Sequence, residues 1–512
     1  MTRHIRTRTR THAAPTATAA PAAAPAAAPQ QAPAAPVDNP YVTVADPGLN
    51  AYAEQFLAEV AAIEESRPTV GCVIPAYNEA ETIGGVLDAL LMQTRLPDVI
   101  HLIVNNTSDD TVEIASHWAG KHERTTELGT QTTEIYVHDI GVNPDKKVGA
   151  LNHGYSLVSD CDYMLGVDGD TTPEPTAVEA LVAEVTSDDR IGGISAIYSI
   201  DDSAMDTRVG RWLVAGQRAQ FAAFNMQNLL RGRNMAVLGG QFSIFSTRAL
   251  REVMAQSHQR TPWVNDSEVE DSLLSLQIKS AGYLTKISAT ARAHVGGMTT
   301  LRSLDAQQVK WNFGAIDLMW PGQRGDTRGQ PLHPNLRLRW FEHASMVLNI
   351  LTRVGFLLLL IGSLTIDAFV FQAWWLIPPT VAILLNLKVV RAMANANRRD
   401  YLFAATLVQA EVYMWVRMGH FVRAWLKFFS HQQSDNWAAQ AKAESGRGSA
   451  WLYPYLTLLV VVLAGLAIWL QLSVDVRSAM LSVGWPVLGI ITVVQTAWMV
   501  LKIMKRNRGF QS

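Results

Sequence analysis

The chain has 512 residues, and its 43 lysine and arginine residues are balanced by 45 aspartate and glutamate residues, which gives a formal net charge of −2. This balance gives no reason to expect bulk nucleic-acid binding, and the length allows two or three domains with a sizeable core. The two cysteines, Cys72 and Cys161, have no metal-ligand spacing and lie in apolar stretches. They are predicted to be buried thiols of a reducing compartment rather than a disulfide framework.

Residues 1–48 are predicted to be a disordered tail. Four arginines within the first ten residues precede a long Ala/Pro tract that contains no apolar segment. We do not expect this tail to act as a signal peptide, and we expect disorder because it cannot offset the entropy of ordering by burial. Binding of anionic lipid through the arginines is an alternative role. A helical stretch near residues 50–65 follows the tail.

Apolar, strand-like runs alternate with helical patterns from residue 69 to about residue 290. The predicted strands are Thr69–Pro75, Val99–Val104, Glu134–His138, Tyr163–Val167 and Gly192–Tyr198. The predicted helices are Glu79–Gln93, Thr111–Ala119 and Thr176–Thr186. Such alternation is typical of a mainly parallel sheet with helices on both faces, which is an α/β nucleotide-binding architecture. We place this domain at residues 49–335.

The last third of the chain, residues 336–512, is predicted to be an all-α membrane domain. Four apolar runs have about the length needed to cross a bilayer, at residues 346–366, 369–389, 451–472 and 483–501. Tryptophans near their ends, and basic residues after the second and fourth runs, favour four spans and a cytosolic N-terminal domain. The protein is therefore expected to be a multi-pass protein of the plasma membrane.

Two features of this region do not fit simple spans. Residues 401–429 carry too many charges to cross a membrane and are predicted to form a helix that lies in the membrane interface. Arg353 falls within the first span. An arginine there is expected either near the cytosolic leaflet or facing a polar bundle interior.

Polar side chains follow three of the predicted strands. The first strand runs into the segment Pro75–Glu79, in which Asn78 can cap the next helix, and the second strand runs into Asn105. The fourth strand runs into Asp168-Gly169-Asp170, whose carboxylates are hard oxygen ligands suited to Mg²⁺ or Mn²⁺. The carboxyl ends of parallel strands meet at one sheet edge, where α/β proteins bind ligands. Taken alone, each motif is also typical of an ordinary solvated turn.

Two further segments place charges at the start of predicted helices. Lys147 enters a helix through Gly-Ala and can approach a diphosphate as a point charge, although a solvated lysine has the same pattern. Glu270 and Asp271 precede an apolar run. Acids at that position are commonly partners of the helix dipole, but one of them could instead be a general base.

The last motif precedes the membrane region. Gln307, Lys310 and Trp311 are spaced so that they share one face of a helix. A hydrogen-bond donor, a cation and an aromatic ring on one face suit a diphosphate and a sugar ring. The alternative is a helix whose tryptophan packs on the core.

In this order, the motifs resemble those of the processive, membrane-embedded family-2 glycosyltransferases, the group that contains bacterial cellulose, hyaluronan and poly-N-acetylglucosamine synthases. The resemblance extends from about residue 68 to the C-terminus. It is carried by Pro75–Glu79, Lys147–Asn152, Asp168-Gly169-Asp170, Glu270-Asp271 and the Gln-x-x-Lys-Trp motif at 307–311. It implies a nucleotide-sugar-binding glycosyltransferase A-type domain with a Rossmann-like sheet, followed by an all-α transmembrane domain.

The resemblance also implies a role for each residue. Asp271 would take the proton of the acceptor hydroxyl in an inverting displacement, and Asp170 together with Asp168 would hold a Mg²⁺ or Mn²⁺ ion. The UDP-sugar donor would be bound by Pro75, Tyr77, Glu79, Asn105, Lys147 and Asp168. The acceptor and the diphosphate would be contacted by Glu270, Gln307, Lys310 and Trp311.

Two positions depart from the family pattern. Asn105 stands where paired acids are common, and an amide can contact a uracil edge as donor and acceptor but without charge. Lys310 stands where an arginine is usual, so a bidentate phosphate clamp becomes a point charge.

Three functions stay open. The first is a synthase that extends a polysaccharide and threads it through its own spans, and the second is the transfer of one sugar to a lipid carrier. The third is a catalytically inactive sugar-binding or scaffold protein, against which the retained aspartates argue. The expected partners are a UDP-sugar, a growing glycan or lipid-linked acceptor, and membrane lipid, with the catalytic domain in the cytoplasm.

Overall fold

In the computed structural model, the described residues are 55, 67–127, 129–201, 207–321, 336–430, 442–443, 446, 450–505 and 509–512. The predicted tail and nearly all of the predicted helical stretch near residues 50–65 lie outside them. The compact unit Pro68–Ser512 contains both the sheet and the apolar helices. Both cysteines are free, with Cys72 buried and Cys161 half-buried.

The sheet is mixed. Its strands are β1 Val70–Ala76, β2 Val99–Val104, β3 Gly120–Thr126, β4 Gly129–Asp139, β5 Tyr163–Val167, β6 Thr172–Pro173, β7 Ile191–Ile200, β8 Phe242–Ser246 and β9 Leu284–Val295. Their order across the sheet is β3-β4-β2-β1-β5-β8-β7-β9-β6. β1 pairs in parallel with β2 and β5, and β2 with β4, whereas β8 runs antiparallel to both β5 and β7.

The predicted fold class is confirmed, but the prediction of a mainly parallel sheet is wrong. Four strands lie outside the predicted set: β3, β6, β8 and β9. β3 has the polar sequence Gly-Lys-His-Glu-Arg-Thr-Thr and lies at the edge of the sheet, so no apolar run marks it. β8 follows a long helix and is short, so its insertion beside β5 depends on contacts between residues distant in sequence.

Helices cover both faces of the sheet, as predicted. They are α1 Ile83–Leu91, α2 Thr111–Ser116, α3 Lys146–Val158, α4 Ala177–Val185, α5 Arg208–Leu230, α6 Thr247–Gln256, α7 Glu270–Ser280 and α8 Leu301–Met319. Apolar side chains of α1 and α4 pack on one face, and those of α3, α6 and α7 on the other. All seven residues of β1 are buried, and this explains why its sequence is a continuous apolar run.

The C-terminal helices are α9 Leu336–Leu364, α10 Ile377–Arg391, α11 Arg398–Ala405, α12 Leu407–Phe429, α13 Tyr453–Gln471 and α14 Val474–Ile503. In the described parts of the chain, three helical segments are long and apolar enough to cross a membrane: α9, Ala373–Arg391 and α14. The third span was predicted at residues 451–472. This stretch contains the apolar helical segment Tyr455–Gln471, which is shorter than the three segments named above.

The stretch predicted as a single interface helix, 401–429, is divided between two helices, because α11 ends at Ala405 and α12 begins at Leu407. Charged side chains of α12 are used inside the unit. Arg423 pairs with Asp305 of α8, and Glu411 pairs with Arg353 of α9. Arg353 therefore faces a polar interior, which is one of the two environments that its position in the sequence allowed.

Candidate active site

One cavity, of about 2310 Å³, reaches from the carboxyl ends of β1, β2 and β5 to the space between the C-terminal helices. The structure brings all twelve side chains singled out from the sequence to its wall. They are Pro75, Tyr77, Glu79, Asn105, Lys147, Asp168, Asp170, Glu270, Asp271, Gln307, Lys310 and Trp311. Residues separated by more than 200 positions therefore share one space.

The loops after β1, β2 and β4 are tied together by two asparagines. Asn78 and Asn106 have φ values of 54° and 56°, a left-handed conformation that asparagine adopts more readily than most residues. Asn78 Oδ1 accepts a hydrogen bond from the backbone N–H of Ser108 at 2.9 Å, and Asn106 Oδ1 accepts one from that of Asn143 at 2.8 Å. The sequence suggested that Asn78 caps the helix after β1. The N-cap position of that helix is instead held by Thr82.

The central glycine of Asp168-Gly169-Asp170 is required by space. A Cβ on Gly169 would lie 2.8 Å from Cγ of Glu79. Glu79 packs there while its Oε2 accepts a hydrogen bond from the Thr82 hydroxyl at 2.5 Å. The first and the third strand-end motifs are therefore in direct contact, which neither motif shows by itself.

Lys147 lies among the carboxylates of the cavity. Its Nζ is 2.6 Å from Oδ1 of Asp168. Burial lowers the pKa of Lys147, but the carboxylates of Asp168, Asp271 and Glu270 outweigh burial and hold the pKa above its ordinary value. The first turn of α3 therefore supplies a permanent cation to a site that is otherwise acidic.

Asp271 lies in the first turn of α7 and is held by a backbone contact. Its Oδ2 accepts a hydrogen bond from the N–H of Gly240 at 2.8 Å. Burial, and then the charge of Glu270, raise the pKa of Asp271 to about 7. A carboxyl group with a pKa near the working pH is suited to act as a general base.

Gly240 is a site residue that the sequence reasoning missed. A Cβ at this position would lie 2.6 Å from Oδ2 of Asp271 and 3.1 Å from Nζ of Lys147. Glycine at this position therefore allows the side chains of Asp271 and Lys147 to approach the chain before β8, and a larger residue would displace them. The available signal was the Gly239-Gly240 pair directly before an apolar strand, since paired glycines can mark such close approaches.

The Gln-x-x-Lys-Trp motif lies on α8. Lys310 is only 5% exposed, and burial lowers its pKa to about 7. The ring of Trp311 meets Phe221 of α5 edge to face, with the ring centroids 6.4 Å apart. The cation and the aromatic ring thus lie on the cavity wall at the point where the sheet domain meets the C-terminal helices.

The acids at the end of β5 fit a divalent metal ion that binds together with a phosphate ligand. Among the described residues, no three His, Cys, Asp or Glu side chains are grouped as a complete metal site. Asp170 is exposed to the cavity, and its Oδ1 accepts a hydrogen bond from the Thr171 hydroxyl at 3.3 Å. Mg²⁺ usually takes one or two protein carboxylates and completes its shell with water and substrate phosphates. Asp170 and Asp168 supply that donor set.

A polar network lines the part of the cavity between the C-terminal helices. Arg353 donates hydrogen bonds to both carboxylate oxygens of Glu411, at 2.5 and 2.9 Å, and to Oδ1 of Asn349 at 2.7 Å. Gln495 of α14 donates to the same Asn349 oxygen at 2.9 Å. Three helices are therefore connected by charged and amide groups inside the apolar region, where such groups are costly unless they are paired.

Comparisons with known proteins give one family match and several similar proteins. Residues 72–254 match the model of the family Glycosyl transferase family 2. The poly-beta-1,6-N-acetyl-D-glucosamine synthase of Staphylococcus epidermidis (strain RP62A) is 22% identical over 256 residues, which are 49% of this chain and 57% of that protein. The probable glycosyltransferase YdaM of Bacillus subtilis (strain 168) is 24% identical over 262 residues, which are 48% and 55% of the two chains. The chain spans about half the length of the curated relatives it matches.

Among solved structures, a mannosyltransferase from Pyrobaculum calidifontis in complex with GDP-Man and Mn²⁺ is similar at 15% identity and a TM-score of 0.41. The similarity covers 75% of this chain and 98% of that one. A likeness of this size carries no argument about function.

The family match extends from β1 to α6, and it includes the segments that hold Lys147, Asp168, Asp170 and Gly240. Residues 72–254 are therefore similar to a glycosyl transferase family 2 domain.

Proposed function

We propose that the protein is an inverting glycosyltransferase that uses a UDP-sugar to extend a polysaccharide at the membrane. One observation carries the proposal. The residues that the family resemblance assigns to the site and the polar network between the C-terminal helices line the same cavity. An acceptor chain held at the catalytic residues therefore has a continuous path toward the helices of membrane-spanning length.

In the proposed reaction, the acceptor hydroxyl gives its proton to Asp271 while its oxygen attacks the anomeric carbon of the donor sugar. The bond between that carbon and the UDP oxygen breaks in the same step, so the anomeric configuration is inverted. Lys147 and Lys310 stabilise the negative charge that develops on the departing diphosphate. A divalent ion held by Asp170 and Asp168 would neutralise the same diphosphate when bound. Trp311 would stack on the acceptor sugar.

We place the catalytic domain at residues 49–335 in the cytoplasm and the membrane domain at residues 336–512 in the plasma membrane. The basic residues that end α10 and α14 support this orientation, since arginine and lysine are enriched on the cytoplasmic side of spans. The transfer of one sugar to a lipid carrier is the second candidate. It is favoured by Lys310, because a lysine does not reproduce the bidentate contact of an arginine with phosphate.

Radiolabelled nucleotide sugars distinguish these functions. Membranes that contain the protein would be incubated with a panel of labelled UDP-sugars and Mn²⁺, and the products would be separated by size and by lipid solubility. A polymer of high mass supports the proposal, and a short product soluble in organic solvent supports transfer to a lipid. The absence of turnover with every donor would contradict both.

Gly240→Ala is expected to lower the transfer rate by about 100-fold. The added methyl group would displace the Asp271 carboxylate and Lys147. A shift of about 1 Å at a catalytic group has an effect of this order. The rate would be measured together with the circular dichroism spectrum, which should not change. Gly85→Ala is the matched control, since a Cβ at Gly85 meets no atom within 4 Å. A wild-type rate for Gly240→Ala would show that this contact does not position the base.

Lys310→Arg is expected to extend activity to higher pH. The general base Asp271, with a pKa of about 7, must be deprotonated, so kcat/KM rises with pH through that value. Lys310, whose pKa is also about 7, must be protonated to stabilise the diphosphate, so kcat/KM falls as the pH increases further. An arginine keeps its charge, and the fall should move to higher pH.

The measurement is kcat/KM as a function of pH for the wild type and the variant. Lys279→Arg is the control, because Lys279 is also a lysine whose pKa burial lowers, to about 8, but it does not line the cavity. An unchanged profile in Lys310→Arg would exclude Lys310 as the group that limits activity at high pH.

A further inference from the structure

Four cations lie near one carboxylate where the sheet domain meets the C-terminal helices. Arg231 follows α5, Arg339 and Glu342 lie near the start of α9, Arg417 is in α12, and Lys502 is in the last turn of α14. Arg339 Nη1 is 3.2 Å from Oε2 of Glu342. The charge of the same Glu342 also acts on the other three cations. Four positive charges against one negative charge leave an excess of three.

The cluster is accessible but has no role in the proposed reaction. Arg339, Glu342, Arg417 and Lys502 all line the cavity, and none of them is assigned a part in sugar transfer. Like charges held together repel, and the repulsion grows as water is displaced. A bound anion would relieve this repulsion, so the cluster favours a ligand with at least one negative charge.

The surface beside the cluster is apolar and exposed. The rings of Phe341 and Trp498 are 42% and 48% exposed, with their centroids 6.2 Å apart. Lys502 Nζ lies 5.8 Å from the centroid of the Trp498 ring, and the neighbouring Leu501 is 68% exposed. A cationic pocket that continues into exposed aromatic and aliphatic side chains has the two-part character of a lipid-binding surface.

We infer that this cluster binds the phosphate group of an anionic membrane lipid, with the acyl chains along the exposed faces of α9 and α14. Basic pockets between membrane helices on the cytoplasmic side are suited to anionic headgroups. The lipid headgroup would supply the negative charge that balances the four cations. A free phosphate ion shares the headgroup chemistry but cannot use Phe341, Trp498 and Leu501. The inference concerns binding and does not depend on glycosyl transfer.

The test measures lipid binding to the full-length protein in detergent by native mass spectrometry, with phosphatidylglycerol compared with phosphatidylcholine. The wild type should retain phosphatidylglycerol preferentially, and Arg417→Gln combined with Lys502→Gln should weaken that binding at least about tenfold. Arg391→Gln combined with Arg398→Gln is the matched control, because both arginines are exposed, lie near helix ends and are absent from the cavity wall. This control should bind phosphatidylglycerol like the wild type.

The double variant Arg417→Lys with Lys502→Arg keeps both positive charges and changes the packing. It should keep the preference for phosphatidylglycerol over phosphatidylcholine. Equal weakening in the control pair would overturn the inference, since it would show that any basic residue near the membrane has the same effect. Displacement of the lipid by inorganic phosphate at equal concentration would also overturn it, because the site would then be one for free anions. Equal retention of both lipids by the wild type would overturn it as well.

Discussion

Asp271→Asn is expected to lower kcat for sugar transfer by about 1000-fold and to leave the affinity for UDP within about twofold, because a general base contributes about 10²- to 10⁴-fold to a rate. The asparagine keeps the shape of the side chain and can still accept the hydrogen bond from Gly240, but it cannot take a proton at neutral pH. The loss should therefore appear in kcat and not in UDP binding.

Steady-state transfer assays and calorimetric titration with UDP measure the two quantities. Asp110→Asn is the matched control, because Asp110 also begins a helix but is exposed and makes no capping hydrogen bond through its side chain. Residual activity of Asp271→Asn should no longer rise with pH through about 7, since the group that titrates there has been removed. Turnover like that of the wild type would remove Asp271 as the base.

Asp170→Asn is expected to reduce transfer by about 100-fold or more and to weaken Mn²⁺ binding in the presence of UDP. The physical reason is that an amide oxygen replaces one of the two carboxylates available to a hard cation at the end of β5. Electron paramagnetic resonance of Mn²⁺ measures the binding without any need for turnover. The sheet should be unaffected, because Asp170 is exposed to the cavity.

Asp160→Asn is the control for this variant, since Asp160 is an exposed aspartate on the same domain that does not line the cavity. Unchanged Mn²⁺ affinity in Asp170→Asn, with lost activity, would show that Asp170 acts on the substrate rather than on a metal ion. Unchanged affinity together with unchanged activity would exclude any role in the site.

Local sequence patterns were sufficient where a structural property repeats along a short stretch. The mostly apolar runs of β1, β2 and β5 identified buried strands, and each run ends in the polar residues that line the cavity. Because parallel strands end at one edge, side chains as distant as Tyr77 and Asp168 could be assigned to one site. Apolar length alone also identified α9 and α14 as helices able to cross a membrane.

Local patterns failed where a contact joins residues that are distant in the chain. The polar edge strand β3 was missed because nothing apolar marks it, and β8 was missed because its place beside β5 is decided by sheet order. Gly240 was missed for the same reason, since its close approach to Asp271 and Lys147 exists only after β8 is in the sheet.

The charged residues of α12 also show the difference between local patterns and contacts between distant residues. From sequence, residues 401–429 carried too many charges for a membrane span, and this favoured a helix that lies in the membrane interface. In the folded unit, Glu411 pairs with Arg353 and Arg423 pairs with Asp305, so partners on α9 and α8 make burial tolerable.

The sequence by itself determined the fold class, the strand ends that carry the site and the apolar segments that follow. Only the tertiary structure decided that Glu79 packs against Gly169, that a backbone N–H holds Asp271, and that the cavity continues between the C-terminal helices. The physical reason is that periodicity and turn chemistry act over a few residues, whereas these contacts are set by the order of strands and the packing of helices.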